Sequence, residues 1–238
     1  SKFNFSTTKY KGISPFTGEE NYFSRNFSYP PTFRAYNNNG EMILGKNSGD
    51  GNQQFLANAW DNDENRQKFM FSQDFKIKPF EDLTINFKGD WFYEFYNFER
   101  FYRTYQTAPG QFNRSHNSSA QTQRNLTQTY NILFNYNKTF GDHSLSALLG
   151  WEYFHSKYGM LSGSGYNPNN NYFRDLQYTI TEEGARQLDS GHSKFITESY
   201  FMRLNYDYQA KYIASFTVRR DGISKLGKDN RWGVFPGL

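Results

Sequence analysis

Residues 199–238, SYFMRLNYDYQAKYIASFTVRRDGISKLGKDNRWGVFPGL, decide the fold. Within them Tyr200, Met202, Leu204, Tyr206 and Tyr208 fall on one side, and Arg203, Asn205, Asp207 and Gln209 on the other. A period of two is a β-strand with one apolar and one polar face. After a connection at Gln209–Lys211 the pattern resumes: Tyr212, Ala214, Phe216 and Val218 alternate with Ser215, Thr217 and Arg219. The spacing predicts an antiparallel hairpin of two long strands joined by a tight turn. A basic loop with glycines, DGISKLGKDNRWG, follows, and VFPGL begins a further strand.

The same grammar runs through the rest of the chain. Phe69, Phe71, Phe75 and Ile77 share a face against Met70, Ser72, Asp74 and Lys76. The turn KPFED leads to Leu83, Ile85, Phe87, Trp91, Tyr93 and Phe95, alternating with Thr84, Asn86, Lys88, Asp90 and Glu94. Leu126, Tyr130, Ile132, Phe134 and Tyr136 alternate with Asn125, Thr127, Thr129, Asn131 and Asn135; the turn TFGDHS then leads to Leu145, Ala147, Leu149, Trp151 and Tyr153. Residues 1–10 read as the end of a strand carrying Phe3 and Phe5. Residues 11–63, 98–123 and 158–196 show no sustained period and are expected to be long loops, with TEEGARQL in the last as a short helix.

Composition narrows the setting. Aromatic residues make up 20% of the 238 residues, yet the hydrophobic share is only 36%, against about 45–50% in ordinary domains. Many rings in a polar chain suit half-apolar strands joined by hydrophilic loops. Cysteine is absent, which excludes a disulfide framework and thiolate chemistry. A net charge of +4 is too small and too dispersed to argue for nucleic acid. No run of apolar residues is long enough for a membrane helix, and a barrel needs none.

Two all-β architectures fit alternating strands. A soluble sandwich buries the apolar face as core; an outer-membrane barrel turns it to lipid and lines its lumen with the polar face. Connection length separates them. Long and short connections alternate along the chain, as they do where periplasmic turns face extracellular loops. The apolar–polar run from Leu83 continues for about fifteen residues, whereas a soluble strand averages about five or six. The expected fold is therefore all-β, part of a large antiparallel transmembrane barrel. Its polar face places Asp74, Asp90, Glu94, Asn131, Asn135, Glu152, Arg203, Asn205 and Asp207 toward the lumen.

The stretch VRRDGISKLGKDNRWGVFPGL resembles the SusC/RagA-type TonB-dependent transporters of the Gram-negative outer membrane. Arg219, Arg220, Asp221, Gly222, Ser224, Gly227, Asp229, Asn230, Arg231, Trp232, Gly233, Phe235 and Pro236 fit the family's series; Ile223, Leu226 and Gly237 depart from it. FGDHSLSALLGWEYF, KPFEDLTINFKGDW and SYPPTFRAYNNNG are similar to weaker family segments, so the likeness covers most of residues 25–238. The resemblance implies a barrel of roughly 22 strands, of which about eight are visible here. No plug and no TonB box are visible, and residues 1–238 are expected to be an internal part of such a barrel. A complete eight-stranded barrel is the rival. The resemblance further implies import of an oligosaccharide or peptide, a SusD-like surface lipoprotein and the TonB complex as partners, and a family loop, Arg219–Gly233, of structural role.

Catalytic chemistry is not expected. DNDEN at Asp61–Asn65 begins like a calcium loop, but Arg66 stands where glycine is required and Ser72 where the closing glutamate would be. A solvated loop is the expectation there. His116, His143, His155 and His192 are scattered, three as loop or rim residues and His155 at a strand end. No nucleophile elbow or phosphate loop appears, and no metal or cofactor is expected. Two other readings stay open: a barrel serving as a structural subunit of an envelope complex, and a soluble carbohydrate-binding module.

Overall fold

The computed structural model describes residues 1–11, 27, 30, 32–46, 51–113, 116–166 and 171–238. Its main body is one antiparallel eight-stranded sheet. The strands are β1 (Lys2–Lys11), β2 (Trp60–Phe80), β3 (Leu83–Tyr102), β6 (Asn117–Phe140), β7 (His143–Tyr166), β8 (Arg186–Tyr208), β9 (Tyr212–Ile223) and β10 (Trp232–Gly237), in that spatial order. A small hairpin, β4 (Tyr105–Ala108) and β5 (Gln111–Asn113), lies between β3 and β6 in sequence, and a helix, α1 (Gln54–Ala59), precedes β2. Every strand pairs with its sequence neighbour in the sheet, so the topology is a simple meander.

The three short connections lie where the turn residues predict them. Phe140 pairs with His143 across Gly141–Asp142, and Gly141 takes φ +59°, the position glycine holds in a two-residue hairpin turn. At the next hairpin Gln209 and Ala210 both take positive φ, and Lys211 N–H closes the turn on the Tyr208 carbonyl at 3.0 Å. In the β2–β3 hairpin the register shifts between Ile77 and Phe80, which is where Pro79, with no N–H to give, is accommodated. Neighbouring turns are tied together: Gln209 Nε2 donates to Asp142 Oδ2 at 2.6 Å, and Lys138 Nζ lies 2.9 Å from Asp82 Oδ2.

The strands are much longer than the alternating pattern suggests, with 21 residues in β2, 20 in β3, 24 in β6 and β7, and 23 in β8. The expected loop 98–123 is thus strand up to Tyr102 and again from Asn117, and the expected loop 158–196 is strand except at its centre. Past the apolar stretch both faces are polar. The period-two signal fades there while the backbone ladder continues. The same applies to Asp61–Asn65, which lie in β2 rather than in a loop, their side chains directed alternately to the two faces. TEEGARQL is not a helix either: Gly184 takes φ +80° in a turn, and β8 starts at Arg186. Among the described residues of this connection the helical turn is a 3-10 turn at Leu176–Tyr178. The SYPPTFRAYNNNG segment falls partly outside the described residues.

Buried groups concentrate at the loop end of the sheet, not between its strands. Asn52 is fully buried there. Its Nδ2 donates to the carbonyls of Ala35 and Ile43 at 2.8 and 2.7 Å, its Oδ1 accepts from Gln54 N–H, and its own N–H bonds the Thr107 carbonyl. The side chain of Asn52 thereby ties Ala35, Ile43 and Gln54 together, and its backbone N–H joins them to the hairpin β4–β5. On the neighbouring strands the connection after β7 folds back onto the sheet. Leu176 lies over Gly163 and Thr179 over Gly165, and Arg186 Nε donates to Thr179 Oγ1 at 2.9 Å.

Candidate functional site

Because directly paired residues of a sheet point to the same side, the register sorts every side chain to a face. One line crosses the polar face as Asp74, Lys88, Asn131, Glu152, Ser199, Asp221 and Gly233, each paired with the next. Glu94 pairs with Lys68 and Asn125, Asp90 with Ser72 and Thr129, and Asn135 with Thr84 and Leu148. Arg203, Asn205 and Asp207 follow Ser199 along β8 at alternate positions. All nine residues assigned to a polar face thus share one face of the sheet, together with Arg219 and Asp221 of the basic loop.

Many of the charges on this face are paired in local clusters. Ser72 Oγ donates to Asp90 at 2.5 Å, and Lys88 Nζ lies 3.0 Å from the same carboxylate. Glu94 sits between Lys68 at 3.6 Å and Arg66 at 3.7 Å and accepts from Asn125 Nδ2 at 3.1 Å. Nearer the loop end, Arg100 Nη2 donates to Glu64 at 2.9 Å and its Nε to Asn62 at 3.1 Å, while Tyr96 Oη also donates to Glu64. Burial by itself would raise the Glu64 carboxyl. Bonds from Arg100 and Asn62, the Arg100 charge and the Tyr96 hydroxyl together outweigh it and hold the group below its ordinary range. Arg66 and Arg100 also lie over the rings of Tyr96 and Phe98, at 4.9 and 4.4 Å from their centroids. Aromatic and charged groups therefore alternate on one continuous surface. Residue order alone places Glu64 in a solvated loop and Arg100 in a long polar one and gives no part to Tyr96 or Ser199, because the network depends on strands far apart in the chain.

The family loop divides its two arginines between the faces. Arg219 Nε donates to Asp221 at 2.7 Å and its Nη2 to Ser199 Oγ at 3.0 Å, with Glu152 at 3.7 Å. Arg220 is on the other face, over the Trp232 ring at 4.4 Å. Trp232 pairs with Gly222, and a Cβ there would lie 2.8 Å from the indole, so only glycine leaves room for the ring. Ser224 extends the pairing beyond β9, its Oγ accepting from Ile196 N–H at 2.8 Å and its N–H donating to the Ile196 carbonyl. Arg231 Nε caps the Leu226 carbonyl, Asn230 closes a 3-10 turn on Gly227, and Gly233 pairs with Asp221.

The opposite face is apolar and bounded by two belts of rings. The belt toward the loops runs through Gly89, Tyr130, Tyr153, Glu198, Gly222 and Trp232, paired strand by strand. Trp91 folds over Gly89 and donates from Nε1 to Tyr130 Oη at 2.8 Å, while Trp151 Nε1 and Tyr200 Oη both donate to Glu198, at 3.0 and 2.7 Å. The belt toward the turns groups Phe140, His143, Tyr206, Tyr208 and Tyr212, with His143 Nδ1 2.6 Å from Tyr206 Oη. Between the belts lie Leu149, Met202, Leu204 and Phe216, all solvent-exposed. Tyr200 to Tyr208 and Tyr153 to His143 span eight and ten residues, which is about 26–33 Å of strand, or about 20–25 Å at a barrel tilt near 40°.

The histidines do not converge. His143 belongs to the turn-end belt, His155 lies in mid-strand rather than at a strand end, His192 is in β8 rather than a loop, and His116 is buried just before β6. His155 Nδ1 is 3.1 Å from Gln128 Oε1. Among the described residues no group of three or more metal-ligating side chains gathers.

No family model matches the chain. Over 119 residues, 48% of the chain, it is 37% identical to TonB-dependent receptor P3 of Formosa agariphila, and over 121 residues, 49% of the chain, 35% identical to TonB-dependent receptor SusC of Bacteroides thetaiotaomicron. Each match spans 11% of the receptor's length, so the aligned half of the chain corresponds to about a tenth of these curated relatives. Among solved structures, the RagAB peptide importer in its closed-closed state superposes with a TM-score of 0.69 over 98% of this chain and 27% of its own, at 17% identity. A second RagAB peptide transporter structure gives 0.67 over 87% and 23%. At that identity the superposition speaks for the fold, and the receptors supply the sequence kinship. The sequence kinship supports a fragment of a SusC/RagA-type TonB-dependent receptor, and the superposition shows its fold, a stretch of antiparallel barrel wall.

Proposed function

We propose that the chain is part of the wall of an outer-membrane transporter of SusC type, importing an oligosaccharide or peptide too large for passive pores. One observation carries the reading: an exposed apolar band of about 20–25 Å bounded by two belts of rings, close to the ~25 Å band of outer-membrane barrels, with a paired polar network on the reverse face. In this arrangement Leu149, Met202, Leu204 and Phe216 meet lipid, and Asp74, Asp90, Glu94, Asn131, Asn135, Glu152, Arg203, Asn205 and Asp207 face the lumen. The family loop Arg219–Gly233 locks β9 to β10 and needs no ligand for that task. Toward the loop end, the mixture of Tyr96, Phe98, Arg66, Arg100 and Glu64 suits a solute with hydroxyls or amides, since rings stack on flat faces and paired charges orient polar groups. A SusD-like surface lipoprotein closes the outer mouth, and the TonB complex supplies energy. The family resemblance of the sequence implies both substrate classes, and the likeness to a peptide importer supports the second.

The test is uptake by cells producing the full-length protein, given labelled oligosaccharide and peptide pools with and without TonB. Accumulation of one pool that vanishes on loss of either TonB or the receptor is expected. Uptake that survives both losses would overturn the proposal.

A further inference from the structure

Just beyond the loop-side belt, on the apolar face, the register sets two lysines against each other. Lys157 of β7 pairs directly with Lys194 of β8. One step further out, Gly159 pairs with Arg124 on one side and His192 on the other. Lys157, Lys194, Arg124 and His192 are all exposed. Like charges directly opposite in a sheet are destabilising, and among the described residues neither lysine has an ion-pair partner. Their neighbours toward the belt are Leu126, His155, Gln128 and Ile196, none of them a carboxylate. Glu198, the acidic residue of the belt, is occupied by Trp151 and Tyr200. At the centre of the cluster, a Cβ on Gly159 would meet nothing within 4 Å, so the four cationic or titratable side chains surround an open notch.

We infer that Lys157, Lys194 and Arg124, around the notch at Gly159, bind the phosphate groups of an outer-leaflet lipid headgroup. This rests on the membrane reading above, which gives the cluster its depth. Lys157 is four residues beyond Tyr153 of the belt, about 13 Å along the strand and about 10 Å along the membrane normal at a 40° tilt. From there a lysine stem reaches back into the headgroup layer. A phosphate placed between the two ammonium groups converts their repulsion into attraction, and the guanidinium of Arg124 can add a bidentate contact. The occupant is a phosphate-bearing lipid rather than a soluble anion, because the notch opens sideways from the wall beside the acyl-facing band.

The experiment uses the full-length protein in phosphatidylcholine nanodiscs doped with lipid A, either bisphosphorylated or enzymatically dephosphorylated, with thermal unfolding as the readout. The bisphosphorylated lipid should raise the midpoint and the dephosphorylated lipid should not. In Lys157→Gln/Lys194→Gln the lipid concentration giving half the shift should rise about thirtyfold, roughly fivefold for each cation lost near an anionic surface. Lys157→Glu, which sets a carboxylate opposite Lys194, should stabilise the protein in undoped discs and abolish the response to lipid A. Equal responses to both lipids, or an unchanged response in the double variant, overturn the site while leaving the membrane reading intact. Competition by inorganic phosphate at the concentration of the lipid assigns the site to soluble anions and overturns the lipid assignment. Failure of the protein to enter discs at all overturns both readings together.

Discussion

Leu204 lies four residues from Tyr200 and four from Tyr208, between the two belts and paired with Ala147 and Phe216 on the apolar face. Four residues are about 13 Å of strand, so at a 40° tilt the side chain sits about 10 Å from either belt. An arginine at that depth cannot snorkel fully to either interface and should cost about 2–4 kcal/mol. Asn205, one residue on, faces the other way and accepts a 2.8 Å bond from Ser215 Oγ. Replacing it with arginine loses that bond, about 1 kcal/mol, while the charge remains in water. Urea titration of the full-length protein in lipid vesicles, scored by heat-modifiable mobility, should therefore show Leu204→Arg losing two to four times as much stability as Asn205→Arg. A sandwich core would also reject Leu204→Arg, so Leu204→Trp is the deciding variant. A packed core resists the added volume by about 1–3 kcal/mol. Lipid accepts it, and the indole emission should be blue-shifted and quenched by brominated acyl chains. A destabilised Leu204→Trp whose emission ignores brominated lipid would refute the assignment of this face.

Three further outcomes follow from contacts in the structure. Gly222→Ala should cost about 1–3 kcal/mol by displacing the Trp232 ring, and most of that cost should disappear in a Trp232→Ala background, a coupling read by a double-mutant cycle. Asn52→Ala removes two bonds to carbonyls and one from an N–H at a fully buried position; limited proteolysis should then cut between residues 32 and 59, with the heat-modifiable barrel band unchanged. Single cysteines at Glu183 and Lys211, both exposed and at opposite ends of β8, should react in whole cells with an impermeant thiol reagent at Glu183 and not at Lys211. The reverse pattern would show the wall to be inverted.

What residue order alone determined is the part of the chain where the two faces of a strand meet different surroundings. From Leu83 to Phe95, Tyr130 to Tyr136 and Tyr200 to Tyr208, alternation separates lipid-compatible from polar side chains, so strand, face and the intervening turns at Glu81–Asp82, Gly141–Asp142 and Gln209–Ala210 are legible from local chemistry. The family loop was legible for the same reason, as a compact run of residues. Past the belts both faces are polar, so Asp61–Asn65, Glu99–Tyr102, Asn117–Gln123 and Gly159–Tyr166 read as loop although their backbones stay paired. Register is the other thing only the tertiary structure decided. Which residue of one strand faces which of the next is set by the summed pairing of strands tens of residues apart, and no local pattern records it. That is why the row from Asp74 to Gly233, the belt from Trp91 to Trp232 and the confrontation of Lys157 with Lys194 emerge only from the folded sheet.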